Sequence, residues 1–157
     1  MEISVVQLEL HESHKIEIPL SLDKIFIGEQ AAPIFCKLIG NMNVEHASIL
    51  CLDSSNKIIN YFTVSIGEIN CVKVSLAQMF RTVLLSNASK IVVAHNHPSH
   101  ILEITSNDID MTRKIAFISH CFSLELIDSL IVSGDKYISM RVNCKENFDG
   151  QKSKNKN

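Results

Sequence analysis

His95-Asn96-His97-Pro98 constrains this chain more than any other stretch. Directly before it runs Ile91-Val92-Val93-Ala94, short, apolar and β-branched. That composition predicts a buried strand that delivers both histidines at its C-terminal end. Residues i and i+2 of a strand leave from the same face, so His95 and His97 can aim their imidazoles at one point. Two neutral imidazoles suit zinc, and an aspartate can supply a third ligand. Asp108 is the candidate. Pro98 ends the strand, residues 99–104 form a short connection, and Thr105-Ser106-Asn107-Asp108 opens a predicted helix running to about residue 119. Three protein ligands leave a fourth position for water, the arrangement of a catalytic rather than a structural zinc site. Two histidines at a polar strand end also have a bland reading, solvated or hydrogen-bonded, against which the proline, the connection and the helix start weigh.

Asp108 carries two readings. Thr105-x-x-Asp108 has the form of a capping box, with Thr105 as N-cap and an acid three residues on. A carboxylate that reaches back to the N-cap amide is partly occupied. The two roles can be divided between the two oxygens of Asp108.

At 157 residues the chain fits one domain with a real core, and 46% apolar residues support a globular protein. No apolar run reaches the roughly 18 residues of a membrane span, and Met1-Glu2-Ile3-Ser4 does not open a secretory signal. Five cysteines without a CxxC pair point to free thiols in a reducing compartment, hence the cytoplasm. Cys36, Cys51, Cys71 and Cys121 sit among apolar residues and read as core packing. A net charge of -2 offers no general attraction for nucleic acid. The domain is expected to span residues 1–145, with 146–157 a polar, disordered tail.

Residues 2–10 alternate well enough for a strand, and 16–19 suggest a second. Ala31, Ile34, Phe35, Leu38, Ile39 and Met42 recur at helical spacing, predicting an amphipathic helix over 30–42 with Pro33 in its first turn. Strands follow over 45–52 and 57–66, joined at Asp53-Ser54-Ser55-Asn56, and a short one over 71–74. Leu76, Met79, Phe80, Val83 and Leu84 mark a core-packing stripe on a helix over 75–88. Strands near 124–132 and 136–141 close the chain. The order is mixed α/β, with helices packed on a sheet.

The string from His95 to Asp108 resembles the JAB/MPN-plus metalloprotease domain, and within it the RadC-like branch. The MPN-plus pattern is His-x-His-Pro, six residues, a hydroxyl residue, two residues and Asp; here Thr105 holds the hydroxyl place. The Asn96 and Ser99 identities are typical of the RadC-like branch. The likeness extends to Glu45 and the strand after it, Ser65-Ile66-Gly67, Ser86-Asn87-Ala88, Leu126-Ile127-Asp128 and the segment from Asp135 to Ser139. Departures are His100-Ile101-Leu102 in place of Gly-Asp-Pro, Ile104-Thr105 in place of Pro-Ser, and Ser129 where a His commonly stands.

The resemblance implies a cytidine-deaminase-like fold, a curved mixed sheet sandwiched by helices. It implies a zinc metallopeptidase that cleaves a peptide or isopeptide amide, with His95, His97 and Asp108 on zinc. Glu45 becomes the general acid/base, and Thr105 stands where the family's serine assists the oxyanion. The rival readings are a non-enzymatic partner-binding module of the same fold, or a DNA-associated factor, after the family's old DNA-repair label. The partners expected are a protein or peptide substrate, and a second copy of this chain docking through loop 100–104, whose Ile101, Leu102 and Ile104 otherwise form a hydrophobic lid.

Of the remaining polar residues, His11, His14, His100, His120 and Asp110 read as solvated. His46 should point away from the metal. Asn96 should pin the loop, and Ser99 should bond within the turn after Pro98.

Overall fold

Strand β3 (Lys90–Asn96) is the middle of a five-stranded sheet in the computed structural model, which describes residues 3–7, 9–18, 23–67 and 75–148. On one side it pairs antiparallel with β1 (His46–Leu52), and on the other parallel with β4 (Glu125–Ser133). Strand β2 (Ile58–Ile66) lies outside β1 and β5 (Lys136–Ser139) outside β4, both antiparallel, giving the order β2-β1-β3-β4-β5. A parallel pair needs a crossover, and helix α3 (Ser106–Cys121) supplies it between β3 and β4.

Both faces of the sheet are covered. Helix α1 (Gly28–Ile39) packs on one, where Ile34, Phe35 and Ile39 meet Leu50, Leu52, Val92 and Leu130. Helix α2 (Leu76–Leu85) and α3 cover the other, where Met79, Phe80, Val83 and Ile115 meet Ile49, Ile91 and Val93. Double coverage explains why β1 and β3 read as near-continuous apolar runs and are buried along most of their length. Each fully buried aliphatic side chain contributes about 1.5–3 kcal/mol relative to exposure.

The expected hairpin forms at residues 53–56. Asp53 Oδ1 accepts from the amides of Ser55 and Lys57, and Asn56 adopts φ of 69°. The mixed α/β sandwich is the one the sequence predicts, with four local differences. Residues 3–7, 9 and 10 form no strand; Ile3, Val5 and Val6 are 79–95% exposed and no sheet edge among the described residues takes them up. Alternation specifies a face only where something packs on it. Residues 16–18 likewise form no strand; residue 19 and the strand expected over 71–74 lie outside the described residues.

Helix α1 starts two residues earlier than its apolar spacing suggests, because Gln30 Oε1 accepts from the amides of Phe26 and Ile27 and caps the entry. Pro33 therefore falls in the second turn rather than the first. Met42 and Leu84 are exposed, outside the stripes assigned to them. The closing strand stops at Ser139, whose hydroxyl accepts from the amide of Val142 and starts the short helix α4 (Met140–Asn143). A 3-10 turn follows at Lys145–Asn147. Asn147 is buried there and Phe148 lies under the Arg141 guanidinium at 4.2 Å. The fold thus runs past the expected boundary at 145, because these two residues have partners on the body.

Buried Asp128 ties three elements together. Its oxygens accept from Ser129 N at 2.7 Å, Ser139 Oγ at 2.5 Å and Arg141 N at 3.0 Å. Gly28, the first residue of α1, sits directly on it: a Cβ there would lie 2.1 Å from Asp128 Oδ2. Because three donors fix that carboxylate, it cannot step aside. Gly28→Ala should therefore destabilise the fold by about 1–3 kcal/mol through overpacking, read as a lower denaturant midpoint with an unchanged slope; an unshifted midpoint would show that α1 slides freely over β4.

Candidate metal centre

The two histidines are placed by backbone pairing. His95, the last but one residue of β3, stands opposite Ala47 of β1 and Ile131 of β4. Beyond the strand the ladder continues for one more bond, from His97 N to Val132 O at 3.0 Å. Both rings leave from the same face, as their spacing predicts, with centroids 5.0 Å apart and Nε2 atoms 3.1 Å apart.

Between them Asn96 is fully buried and points the other way. Its Oδ1 accepts from His46 N at 2.6 Å, and its Nδ2 donates to the carbonyls of Met42 and Val44, both at 3.1 Å. It thus pins the segment entering β1, and with it Glu45.

The chain turns at residues 98–100. His100 N donates to His97 O at 3.1 Å, His100 takes φ of 60°, and Ser99 Oγ accepts from Ile101 N at 3.4 Å, the turn bond expected of Ser99. Thr105 then caps α3. Asp108 N donates to Thr105 Oγ1 at 3.3 Å, and Asp108 Oδ2 accepts from Thr105 N at 2.8 Å and Thr105 Oγ1 at 2.7 Å. The capping box holds Asp108 at the histidines, with Oδ1 2.9 Å from His95 Nε2 and Oδ2 3.9 Å from His97 Nε2. The two oxygens are used differently: Oδ2 caps and Oδ1 faces His95.

The fit to a metal can be tested on these distances. Tetrahedral bonds of about 2.0–2.1 Å place neighbouring donor atoms about 3.3 Å apart. His95 Nε2 lies 3.1 Å from His97 Nε2 and 2.9 Å from Asp108 Oδ1, both near that value, and one ligand atom from each of the three residues falls within 4.8 Å of the others. His97 Nδ1 lies 3.1 Å from the carbonyl of Ile101, which requires a proton on Nδ1 and leaves Nε2 its lone pair, the usual outer support of a ligating imidazole. The Asp108 carboxyl is drawn up by burial, but the hydrogen bond and charge of His95 and the two Thr105 donors outweigh this and hold it at about 2. The donor set is thus a carboxylate and two imidazoles that share one focus, and His95, His97 and Asp108 together can hold a metal ion.

Glu45 shares a cavity with the cluster. It is half-buried on the wall of a cavity that His95 and Asp108 also line. The other polar residues stay apart. His46 Nδ1 contacts Val44 O at 2.9 Å, and His100 Nδ1 contacts Ser133 Oγ at 3.0 Å. His11, His14 and His120 are exposed, and exposed Asp110 faces Arg113 at 3.8 Å. In the loop, Ile101 is 57% exposed while Leu102 and Ile104 are half-buried, so lid and free surface are both present within one connection. Ser129 and Thr112 carried no assigned role in the sequence, yet they line the same cavity with hydroxyls 3.1 Å apart. Thr112 was legible as one turn beyond Asp108 on the same helix face; Ser129, on a different element, had no local signal.

The family model of the RadC-like JAB domain matches residues 27–146, and the chain belongs to that family. Its mixed five-stranded sheet with flanking helices is the JAB fold. The chain is 34% identical over 113 residues to a UPF0758 protein of Finegoldia magna, covering 72% of this chain and 51% of that protein. It is 32% identical over 135 residues to a UPF0758 protein of Flavobacterium johnsoniae, covering 86% and 59%. The chain spans about half the length of the curated relatives it matches.

Asn96 offers a test of how the site is held. Asn96→Ala leaves one buried amide and two carbonyls without their partner, and should lower stability by about 2–3 kcal/mol in urea unfolding of metal-free protein. Asn96→Asp keeps the acceptor for His46 N but turns a carboxylate oxygen toward the Met42 and Val44 carbonyls, so it should do no better than alanine. Full stability in the aspartate variant would show that those carbonyls are not what holds the side chain.

Proposed function

We propose that this chain is a zinc-dependent hydrolase of peptide or isopeptide amide bonds. The observation that carries the reading is the convergence of His95 Nε2, His97 Nε2 and an Asp108 oxygen at a cavity that also holds Glu45. Two imidazole nitrogens and one carboxylate oxygen suit zinc better than an oxygen-seeking ion. Zinc, when bound, supplies activation of a water near neutral pH and polarisation of the amide carbonyl.

The chain's own residues supply the rest. The Glu45 carboxylate takes a proton from the attacking water and returns it to the departing amine. His97 keeps its proton on Nδ1 through the Ile101 carbonyl, so Nε2 remains a ligand atom. Thr105 orients Asp108 while its hydroxyl donates to Oδ2; helping the oxyanion requires that hydroxyl to turn toward the substrate.

No helix among the described residues is long and apolar enough to cross a membrane, and Cys36, Cys51, Cys121 and Cys144 are unpaired. These support a cytoplasmic site of action. The exposed Ile101, beside the histidines, supports docking of a protein substrate or a second copy of this chain along loop 99–104.

Purified protein should carry about one zinc per chain, and His97→Ala and Asp108→Ala should each abolish it, measured by mass spectrometry of the metal. Protein made with ample zinc yet containing none would reject the site. Glu45→Gln should keep the zinc and lower hydrolysis of a fluorogenic peptide library about 10²- to 10⁴-fold; unchanged turnover would move the base elsewhere. Ile101→Ser should leave the melting temperature nearly unchanged while weakening self-association or substrate capture, whereas a fall in melting temperature alone would make the loop a lid.

A further inference from the structure

Helix α3 carries Asp108, whereas His95 and His97 belong to β3 and its extension. The cluster closes only if the first turns of α3 keep a fixed place over the sheet. Apolar packing alone does not fix them. Ile109 and Met111, in the first two turns, are half-buried, and the firmly packed Ile115 and Ala116 come later on the helix. A recess of about 100 Å³ has Asp108, Met111 and Thr112 of the helix and Val93 and Ser129 of the sheet on its wall. Apolar contact is non-directional, and across a recess it is missing.

One directional contact joins helix and sheet there. Thr112 Oγ1 donates to Ser129 Oγ at 3.1 Å, and the two residues are 2% and 5% exposed. Thr112 stands one turn after Asp108 on the same side of α3. Ser129 pairs with Val93, two residues before His95 on β3. The helix thus meets the sheet through two polar contacts one turn apart: Asp108 Oδ1 with His95 Nε2 at 2.9 Å, and Thr112 with Ser129. The strand end of the second contact is firm. Ser129 N donates to Asp128 Oδ1, and Asp128 Oδ2 accepts from Ser139 Oγ. A hydrogen bond kept from water is also electrostatically stronger than one at the surface.

We propose that Thr112 and Ser129 are a positioning pair: their hydrogen bond holds the first turns of α3 to the sheet and so sets the place of Asp108 in the cluster. Neither hydroxyl is a ligand atom. The Asp108–His95 contact cannot do this work in the filled site. An oxygen and a nitrogen that both turn to a metal ion no longer bond to each other, and the hydroxyl bond is the one that remains. The effect on metal affinity rests on the reading of the cluster as a metal site; the hold on the helix does not.

The test compares three substitutions in the full chain. Thr112→Val keeps the shape and removes the hydroxyl, Thr112→Ser keeps the hydroxyl, and Ser129→Ala removes the acceptor. Zinc affinity is measured on folded protein by competition with a chromophoric chelator, and ligand geometry by the visible absorption of the cobalt(II) form. Thr112→Val and Ser129→Ala should each weaken zinc binding about tenfold and alter the cobalt bands. The double variant should be no weaker than either single one, because both remove the same bond. Thr112→Ser should keep wild-type affinity and bands. In metal-free protein, amide hydrogen exchange over residues 109–113 should be about fivefold faster in Thr112→Val and Ser129→Ala, with β3 unchanged. A merely structural pair would lower stability and leave affinity and bands alone; that result would overturn the proposal, as would additive losses in the double variant or unchanged exchange. Should Thr112→Val not fold, Ser129→Ala carries the same comparison. If the wild type binds zinc and the variants match it, the positioning pair fails alone. If the wild type takes up no zinc, the metal-site reading fails, and hydrogen exchange decides whether the pair holds the helix.

Discussion

The amide of His97 donates to the carbonyl of Val132, and the site depends on that bond. It extends the parallel β3–β4 ladder one residue beyond the strand, so His97 has a fixed backbone and not merely a place in a loop. On the other side of β3, the antiparallel register puts Ala47 against His95 and so brings the start of β1, with Glu45 next to it, to the same end of the sheet. Asn96 locks that junction from below through one bond to His46, the first residue of β1, and two to the segment preceding it. The ligand geometry is therefore set mostly by backbone hydrogen bonds of rigid elements, the condition under which a site holds its shape within a fraction of an ångström.

The parallel pairing also dictates where the third ligand comes from. A strand followed by a parallel neighbour must send the chain back across the sheet face, and the crossover helix has to begin near the end of the first strand. Its N-terminus then lies beside His95 and His97. A capping residue at that N-terminus already has an oxygen directed at the helix amides, and Asp108, in the third helical position, turns its other oxygen outward to the imidazoles. One acid thus starts the helix and completes a cluster that can hold a metal ion, with no separate loop needed to carry it.

Much of this was readable in the sequence because it is local. The strand before His95, the same-face rule for His95 and His97, the turn at Asp53 to Asn56 and the Thr105–Asp108 cap each depend on residues a few positions apart. The opposite orientation of Asn96 follows from the same two-residue period. What the residues alone did not show was distance across the sheet. Glu45 came to the site only through the family likeness, since its proximity is a matter of β1–β3 register. The alternation at residues 2–10 misled for a related reason: it names a face, and no partner surface among the described residues meets it. The hydroxyl pair of Thr112 and Ser129 joins a helix to a strand, and neither residue alone signals the other.

Two carboxylates, Asp108 and Asp128, distinguish the two faces of the sheet. Asp108 and Asp128 both accept several hydrogen bonds at the start of a helix, and burial raises both. At Asp108 the imidazole of His95 tips the balance and the group falls to about 2. At Asp128 burial wins, and its carboxyl sits above the ordinary value despite bonds from Ser139, Ser129 and Arg141. The nearby Arg141 guanidinium is turned to the carbonyls of Ile127 and Leu126. By linkage, the ionised form of Asp108 stabilises the fold above the usual carboxylate range, whereas the ionised form of Asp128 is disfavoured there. A carboxylate kept charged against an imidazole pair is ready for a cation. A carboxylate kept among neutral donors under Gly28 serves as a joint between α1, β4 and α4. The same residue type belongs on one face to a cluster that can hold a metal ion and on the other to a structural joint, and the difference lies in the imidazoles beside Asp108 and the deeper burial of Asp128.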